Sequence, residues 1–298
     1  MSRTPGSKEV AGLRPVVLGS DGRAGRVISR LLSDAIPQTV AATRTELDIL
    51  DYFNLRWECE RLQANLLVNA AGWADVDGCE ADPGRAFRVN AEGAGHVARV
   101  GQAVGARVVH LSTDYVFAGT KGEPYVETDS PAPLSVYGKS KLAGERAVRE
   151  AQPEALVVRT AWLFGGTGAR PDFIEKILKA AAASPRIPVV RDQVGSPTGV
   201  QDLARGLLKL ILVGATGTVH LVCRGGTDRA TFARQILQGA GRGDVRVIPV
   251  SSGAVPGGAP RPADTRLDTG RFQAITGSPP RTWQEALRES WPPREWTG

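Results

Sequence analysis

The sequence predicts an α/β fold, a doubly wound parallel sheet followed by a smaller C-terminal α/β domain. Three observations carry that prediction. Continuously apolar strands alternate with helix-length stretches through the first half, the pattern of a parallel sheet covered on both faces. The first strand runs straight into a glycine-rich turn that opens a helix. Beyond residue 160 the alternation loosens, and Pro and Gly collect between Ser251 and Pro262.

Each element follows from its local pattern. Residues 14–19 are an apolar run ending in glycine and read as a buried strand. The helix beginning near Gly22 carries Val27, Ile28, Leu31 and Leu32 on one face. A second strand is expected over Thr39–Thr43, with a short one near Leu47. Leu66–Asn69 is a third, turning through Ala70, Ala71 and Gly72. A single helix is expected over Pro83–Val104, then a strand at Arg107–Leu111, a helix at Val136–Glu150 and a strand at Ala155–Thr160. The second half offers helices at Asp172–Ala183 and Val200–Val213, strands at Ile187–Val190 and Thr218–Val222, and a closing helix, Trp283–Trp291. Residues 15–163 are thus expected to form the first domain, rejoined by segments near 187–222. Residues 164–298 mainly form the second, and 1–14 read as a loose leader without the apolar stretch of a signal peptide.

Composition excludes several classes. The chain has 298 residues, enough to bury roughly three quarters of its unfolded surface. Its charge of +6, from 37 basic and 31 acidic residues, is spread evenly and forms no nucleic-acid footprint. No apolar run nears the ~18 residues of a membrane span. Three cysteines without CxxC spacing argue against a disulfide scaffold or a cysteine zinc site and favour a reducing cytoplasm. The three histidines lie far apart and suggest packing, so no metal site is expected.

Gly19, Gly22 and Gly25 have GxxGxxG spacing between the first strand and first helix. Such a turn lets a backbone approach a pyrophosphate at a helix N-terminus, the mark of a Rossmann-type dinucleotide site. Nineteen residues beyond Gly25 stands Arg44, where a carboxylate would hold a ribose 2′-hydroxyl; a guanidinium suits a 2′-phosphate. NADPH is therefore expected, with NADH admissible. Tyr137 and Lys141, four apart, share one helix face, where an ammonium would lower the phenol's pKa for proton transfer. With four tyrosines and seven lysines, chance yields about 0.1 such pairs. Thr113 ends a central strand and is positioned to donate to a carbonyl beside Tyr137.

These motifs, with NAAG, STDYVF, YGKSKLAGE, RTAWLFG, DQVGSPTG and RPADTRLDT, resemble the dTDP-4-dehydrorhamnose reductase family of extended short-chain dehydrogenase/reductases. The resemblance runs from about Val16 to Trp291. It implies cofactor contacts from Gly22, Arg23 and Ala24 at the pyrophosphate, from Asp48 and Ile49 along the adenine, and from Gly72, Trp73 and Ala74 at the next strand end. Lys141 would hold the nicotinamide ribose. Val76, Thr113, Asp114, Tyr115 and Trp162 would meet a nucleotide-sugar substrate, and Arg261 and Arg266 its diphosphate. The implied reaction is NADPH-dependent reduction of a C4 ketone on a 6-deoxysugar, with magnesium outside the chemistry. Trp73-Ala74 departs from a tyrosine–threonine pair common in relatives. The resemblance admits a homodimer, although the glutamates of a magnesium-linked dimer in some relatives find no counterpart here. A sister 4-ketoreductase, a non-catalytic subunit like the methionine adenosyltransferase regulatory subunit, and an epimerase or dehydratase stay open as alternatives.

Overall fold

The computed structural model describes residues 12–254 and 257–290. Most of the expected leader, residues 1–11, and the expected last helical residue, Trp291, lie outside the described residues. In chain order the elements are β1 (Pro15–Leu18), α1 (Arg23–Ala35), β2 (Val40–Ala42), α2 (Tyr52–Arg61), β3 (Leu66–Asn69), α3 (Val76–Ala81), α4 (Pro83–Phe87), α5 (Gly93–Val104) and β4 (Arg107–Thr113). There follow α6 (Val136–Ala151), β5 (Leu156–Thr160), β6 (Leu163–Phe164), α7 (Phe173–Ala183), β7 (Arg186–Val190), β8 (Val194–Gly195), β9 (Thr198–Gly199) and α8 (Val200–Leu212). The last are β10 (Gly217–His220), β11 (Thr227–Asp228), α9 (Arg229–Gly239), β12 (Arg246–Val250), α10 (Gly270–Thr276) and α11 (Trp283–Glu289).

Six parallel strands form the main sheet in the order β10-β5-β4-β3-β1-β2. Alternate residues of β1 serve opposite faces. Val17 packs with Ile28 and Leu32 of α1 and Leu207 of α8, whereas Val16 and Leu18 pack with Leu55 of α2 and Val97 of α5. Both faces are covered, so every β1 and β3 residue is buried, as continuous apolar runs require. Strand order reverses between β1 and β3, which opens a crevice at the strands' C-terminal ends.

A separate apolar core joins Ile174 and Ile177 of α7, Ile187 of β7, Phe232 of α9 and Trp283 of α11. Here the structure departs from the sequence reading. The segment at 187–190 pairs as β7 with β12, in register Ile187 to Val247, and not with the main sheet; β10 alone rejoins that sheet. The short strand expected near Leu47 is a loop whose leucine is buried. The single helix expected over 83–104 is interrupted by a π-helical turn, Arg88–Glu92, which directs Asn90 inward.

Candidate active site

The crevice beside β1 is built for an anion-bearing ligand. Gly19, at φ 75°, turns the chain sharply, and any side chain at Gly25 would collide with the Gly19 carbonyl. The α1 N-cap is Gly22, which supplies no side-chain cap and leaves the first-turn N–H groups free. A cavity of about 250 Å³ lies there, lined by the expected Gly19, Gly22, Arg44, Asp48, Ile49, Gly72 and Trp73. Arg85, missed in the sequence, also lines it and stacks 4.4 Å from the Trp73 ring centroid. These residues fit a dinucleotide. Arg44, exposed at the rim, is 3.3 Å from Asp48, which offsets part of its charge. Ala74 is exposed in the loop before α3, and Ala24 packs toward the core.

Arg23 behaves differently from expectation. Its guanidinium turns away from the glycine turn to the carbonyls of Gly165, Gly166 and Arg170 and to Asp172 and Glu175. It thereby anchors the segment 165–171 beside the cleft, where Ala169 lines the cavity. Arg170 of that segment pairs with Asp75, directly before α3, at 2.5 Å.

The catalytic candidates converge at the end of β4. The Lys141 ammonium donates to the Leu111 carbonyl at 2.6 Å, and burial pushes its pKa down to about 8. Burial also raises the Tyr137 phenol above its ordinary range, with the Thr113 hydroxyl beside it pulling in the opposite direction. The lowered phenol expected from Lys141 is therefore absent: the ammonium is directed at a backbone carbonyl, and desolvation of the phenolate dominates. Thr113 donates its one proton to Asp114 at 3.0 Å and accepts from the Tyr115 N–H at 3.2 Å. A substrate carbonyl would have to compete with Asp114 for that proton. Asp114 is buried, takes a second hydroxyl from Thr265 at 2.5 Å, and is raised by burial to about 6.

Two supports escaped the sequence reading. Asn90 binds the Trp73 backbone in both directions and donates to Ser140 Oγ at 3.0 Å, fixing the α3 approach to α6. Glu145 continues the stripe of Tyr137 and Lys141 and receives Arg159 at 2.8 and 2.9 Å and Ser112 at 2.6 Å. The spacing 137, 141, 145 is the signal that could have found it.

Substrate-side candidates separate. Tyr115 meets Tyr137 edge-on with centroids 5.8 Å apart, and Val76 opens α3 nearby. Trp162, half-buried at a φ of 42°, lies over Gly195 and is covered by the Arg229 guanidinium, so its ring is not the open platform expected. Arg261 pairs with Asp77 at 2.8 Å. Arg266 is held by Asp264 of its own turn at 2.6 Å and by the Gly122 carbonyl of a distant loop, which commits its guanidinium.

An open parallel sheet with this glycine turn and a Thr–Tyr–Lys set at a neighbouring strand end defines an extended short-chain dehydrogenase/reductase. The sequence model of the RmlD substrate binding domain family matches residues 14–293. A dTDP-4-dehydrorhamnose reductase of Mycobacterium tuberculosis is 41% identical, covering 92% of this chain and 91% of its own. A dTDP-4-keto-6-deoxy-D-glucose reductase of Streptomyces niveus is 37% identical, covering 94% and 96%. The crystal structure of the Bacillus anthracis dTDP-4-dehydrorhamnose reductase in complex with NADP superposes with a TM-score of 0.87 at 32% identity, covering 93% and 98%. The chain belongs to the dTDP-4-dehydrorhamnose reductase family.

Proposed function

We propose that the chain reduces the C4 ketone of a nucleotide-linked 6-deoxysugar with NADPH, converting dTDP-4-dehydro-L-rhamnose to dTDP-L-rhamnose. The convergence of Thr113, Tyr137 and Lys141 at the end of β4, beside the glycine-turn cleft, supports this reading above all. Bound reduced nicotinamide supplies the hydride. Tyr137 is protonated at neutrality, as a phenol of ordinary or raised pKa is, and so is in the form that can protonate the strongly basic C4 alkoxide. Lys141, one helical turn beyond Tyr137 and seated on the Leu111 carbonyl, would supply a desolvated positive charge to the phenolate left after transfer if its ammonium turns from that carbonyl. Thr113 would donate to the reacting oxygen once that oxygen displaces Asp114 as acceptor of its proton. A binding-only subunit has no use for all three groups. The free, buried Cys59, Cys79 and Cys223 suit a reducing cytoplasm, and among the described residues no helix is long and apolar enough to cross a membrane.

The similarity to the Streptomyces niveus reductase and the Trp73-Ala74 departure favour one second reading, a sister 4-ketoreductase acting on a different epimer. The test is NADPH consumption with freshly made dTDP-4-keto-6-deoxyglucose, with and without a 3,5-epimerase. Turnover only with the epimerase supports the rhamnose configuration, turnover without it the sister activity. No turnover in either case would overturn both.

A further inference from the structure

We propose that Arg229, and not Arg266, receives the diphosphate of the nucleotide-linked substrate, an inference that rests on the ketoreductase reading. Arg229 opens α9 directly after its cap, Asp228. Its guanidinium carbon lies 3.6 Å from the Trp162 ring centroid and 5.0 Å from that of Phe173. Stacking fixes the plane of the guanidinium; part of its N–H edge meets the Tyr115 phenol, and the rest suits the oxygens of a phosphate.

Charge points the same way. Among the described residues Arg229 has no carboxylate within 4.0 Å. The charged groups facing it are Asp114 and Arg261, and the neutral Tyr115 phenol is its hydrogen-bond partner. Asp114 is already served by the hydroxyls of Thr113 and Thr265, and Arg261 by Asp77. Arg266 is neutralised by Asp264. Arg229 is thus a half-buried cation stacked on two aromatic rings, beside a second guanidinium and with no carboxylate of its own, an arrangement that an anion would relieve. Tyr115 stands between it and the Tyr137 ring, so an anion at Arg229 is one aromatic side chain away from the reacting centre.

Calorimetric titration of dTDP, thymidine and NADPH into the native protein, R229Q and R229K tests this. dTDP should bind the native protein more tightly than thymidine does, and R229Q should weaken dTDP about 10- to 150-fold, the range for a charge-assisted contact. Thymidine and NADPH affinities should stay unchanged, and R229K should recover part of the loss. In turnover, R229Q should raise KM for the nucleotide sugar with kcat largely kept. Inorganic pyrophosphate should compete with dTDP on the native protein, a readout that needs no variant to fold. Equal dTDP affinity in native protein and R229Q, or no competition by pyrophosphate, would overturn the assignment to Arg229 while leaving the ketoreductase reading standing. A native protein that turns over the sugar yet binds dTDP no better than thymidine would overturn the inference too. One that binds no dTDP and shows no turnover would overturn both.

Discussion

Tyr137 is protonated at neutrality with or without the upward shift that burial gives it; the shift makes it a weaker acid, and proton delivery relies on the greater basicity of the developing C4 alkoxide. Tyr137→Phe should leave folding and NADPH binding intact and lower kcat by roughly two to four orders of magnitude; near-native turnover would remove Tyr137 as donor. Lys141, lowered by burial to about 8, is charged below that pH and neutral above it. kcat/KM for reduction should therefore fall above pH ~8, and a profile flat through pH 9.5 would detach Lys141 from the chemistry. The same shift makes the folded state the poorer proton binder between about 8 and its ordinary 10.5, so this lysine's contribution to stability rises with pH across that window. Arg44 sits at the cavity rim beside Asp48. Arg44→Asp should weaken NADPH about 10- to 150-fold and spare NADH. Equal use of both cofactors by the native protein would refute a role for Arg44.

At the scale of elements, two segments of the second half reach across to the first turn of α3. Segment 165–171 does so through Arg170 and Asp75, and the segment before residue 262 through Arg261 and Asp77. The side-chain contact to Arg170 draws the Asp75 carboxyl below its usual range, and Arg261 does the same for Asp77. Among the described residues, only the first segment touches the dinucleotide cavity, through Ala169. Asp75→Asn removes an ion pair that is largely solvent-exposed on its Arg170 side, where such pairs contribute modestly. Stability should change little, while NADPH dissociation in stopped-flow should quicken by a few-fold. An unchanged off-rate would mean that the segment does not restrain the cofactor.

At the scale of the whole molecule, the site rests on a buried ion cluster that fastens α6 to the sheet. Glu145 is fully buried, and Arg159 of β5, Ser112 of β4 and Arg149 converge on it. Burial alone would raise its carboxyl, but the hydrogen bonds and charge of Arg159 outweigh that and hold it low. Glu145→Ala leaves Arg159 buried without a counter-charge and should cost about 3–5 kcal/mol in denaturant unfolding. Replacing both residues by methionine should cost clearly less than the two single losses combined. A loss below ~1 kcal/mol for Glu145→Ala would show that the cluster does not hold the helix in place.

The features legible in the amino-acid order are those written in local spacing. Continuous apolar runs specify strands buried on both faces, GxxGxxG specifies a turn whose first and last positions admit only glycine, and the four-residue step from Tyr137 to Lys141 puts both on one helix face. Of the elements the sequence reading missed, α2 carries only Leu55 and Cys59 into the core and the helical run at 83–104 gives no local sign of its π turn, whereas α9, with Phe232, Ala233, Ile236 and Leu237 at helical spacing, was legible and overlooked. β7 was legible as a strand but its partner was not, because pairing with β12 joins residues about sixty apart and depends on which face each buries. Charge pairing was decided only by the tertiary structure. Arg23, Arg261 and Arg266 look like free cations in the sequence, yet each meets a carboxylate in the fold, and Arg229, which drew no notice there, meets none among the described residues. A guanidinium's role depends on what lies within a few ångströms of it, and chain order does not carry that information.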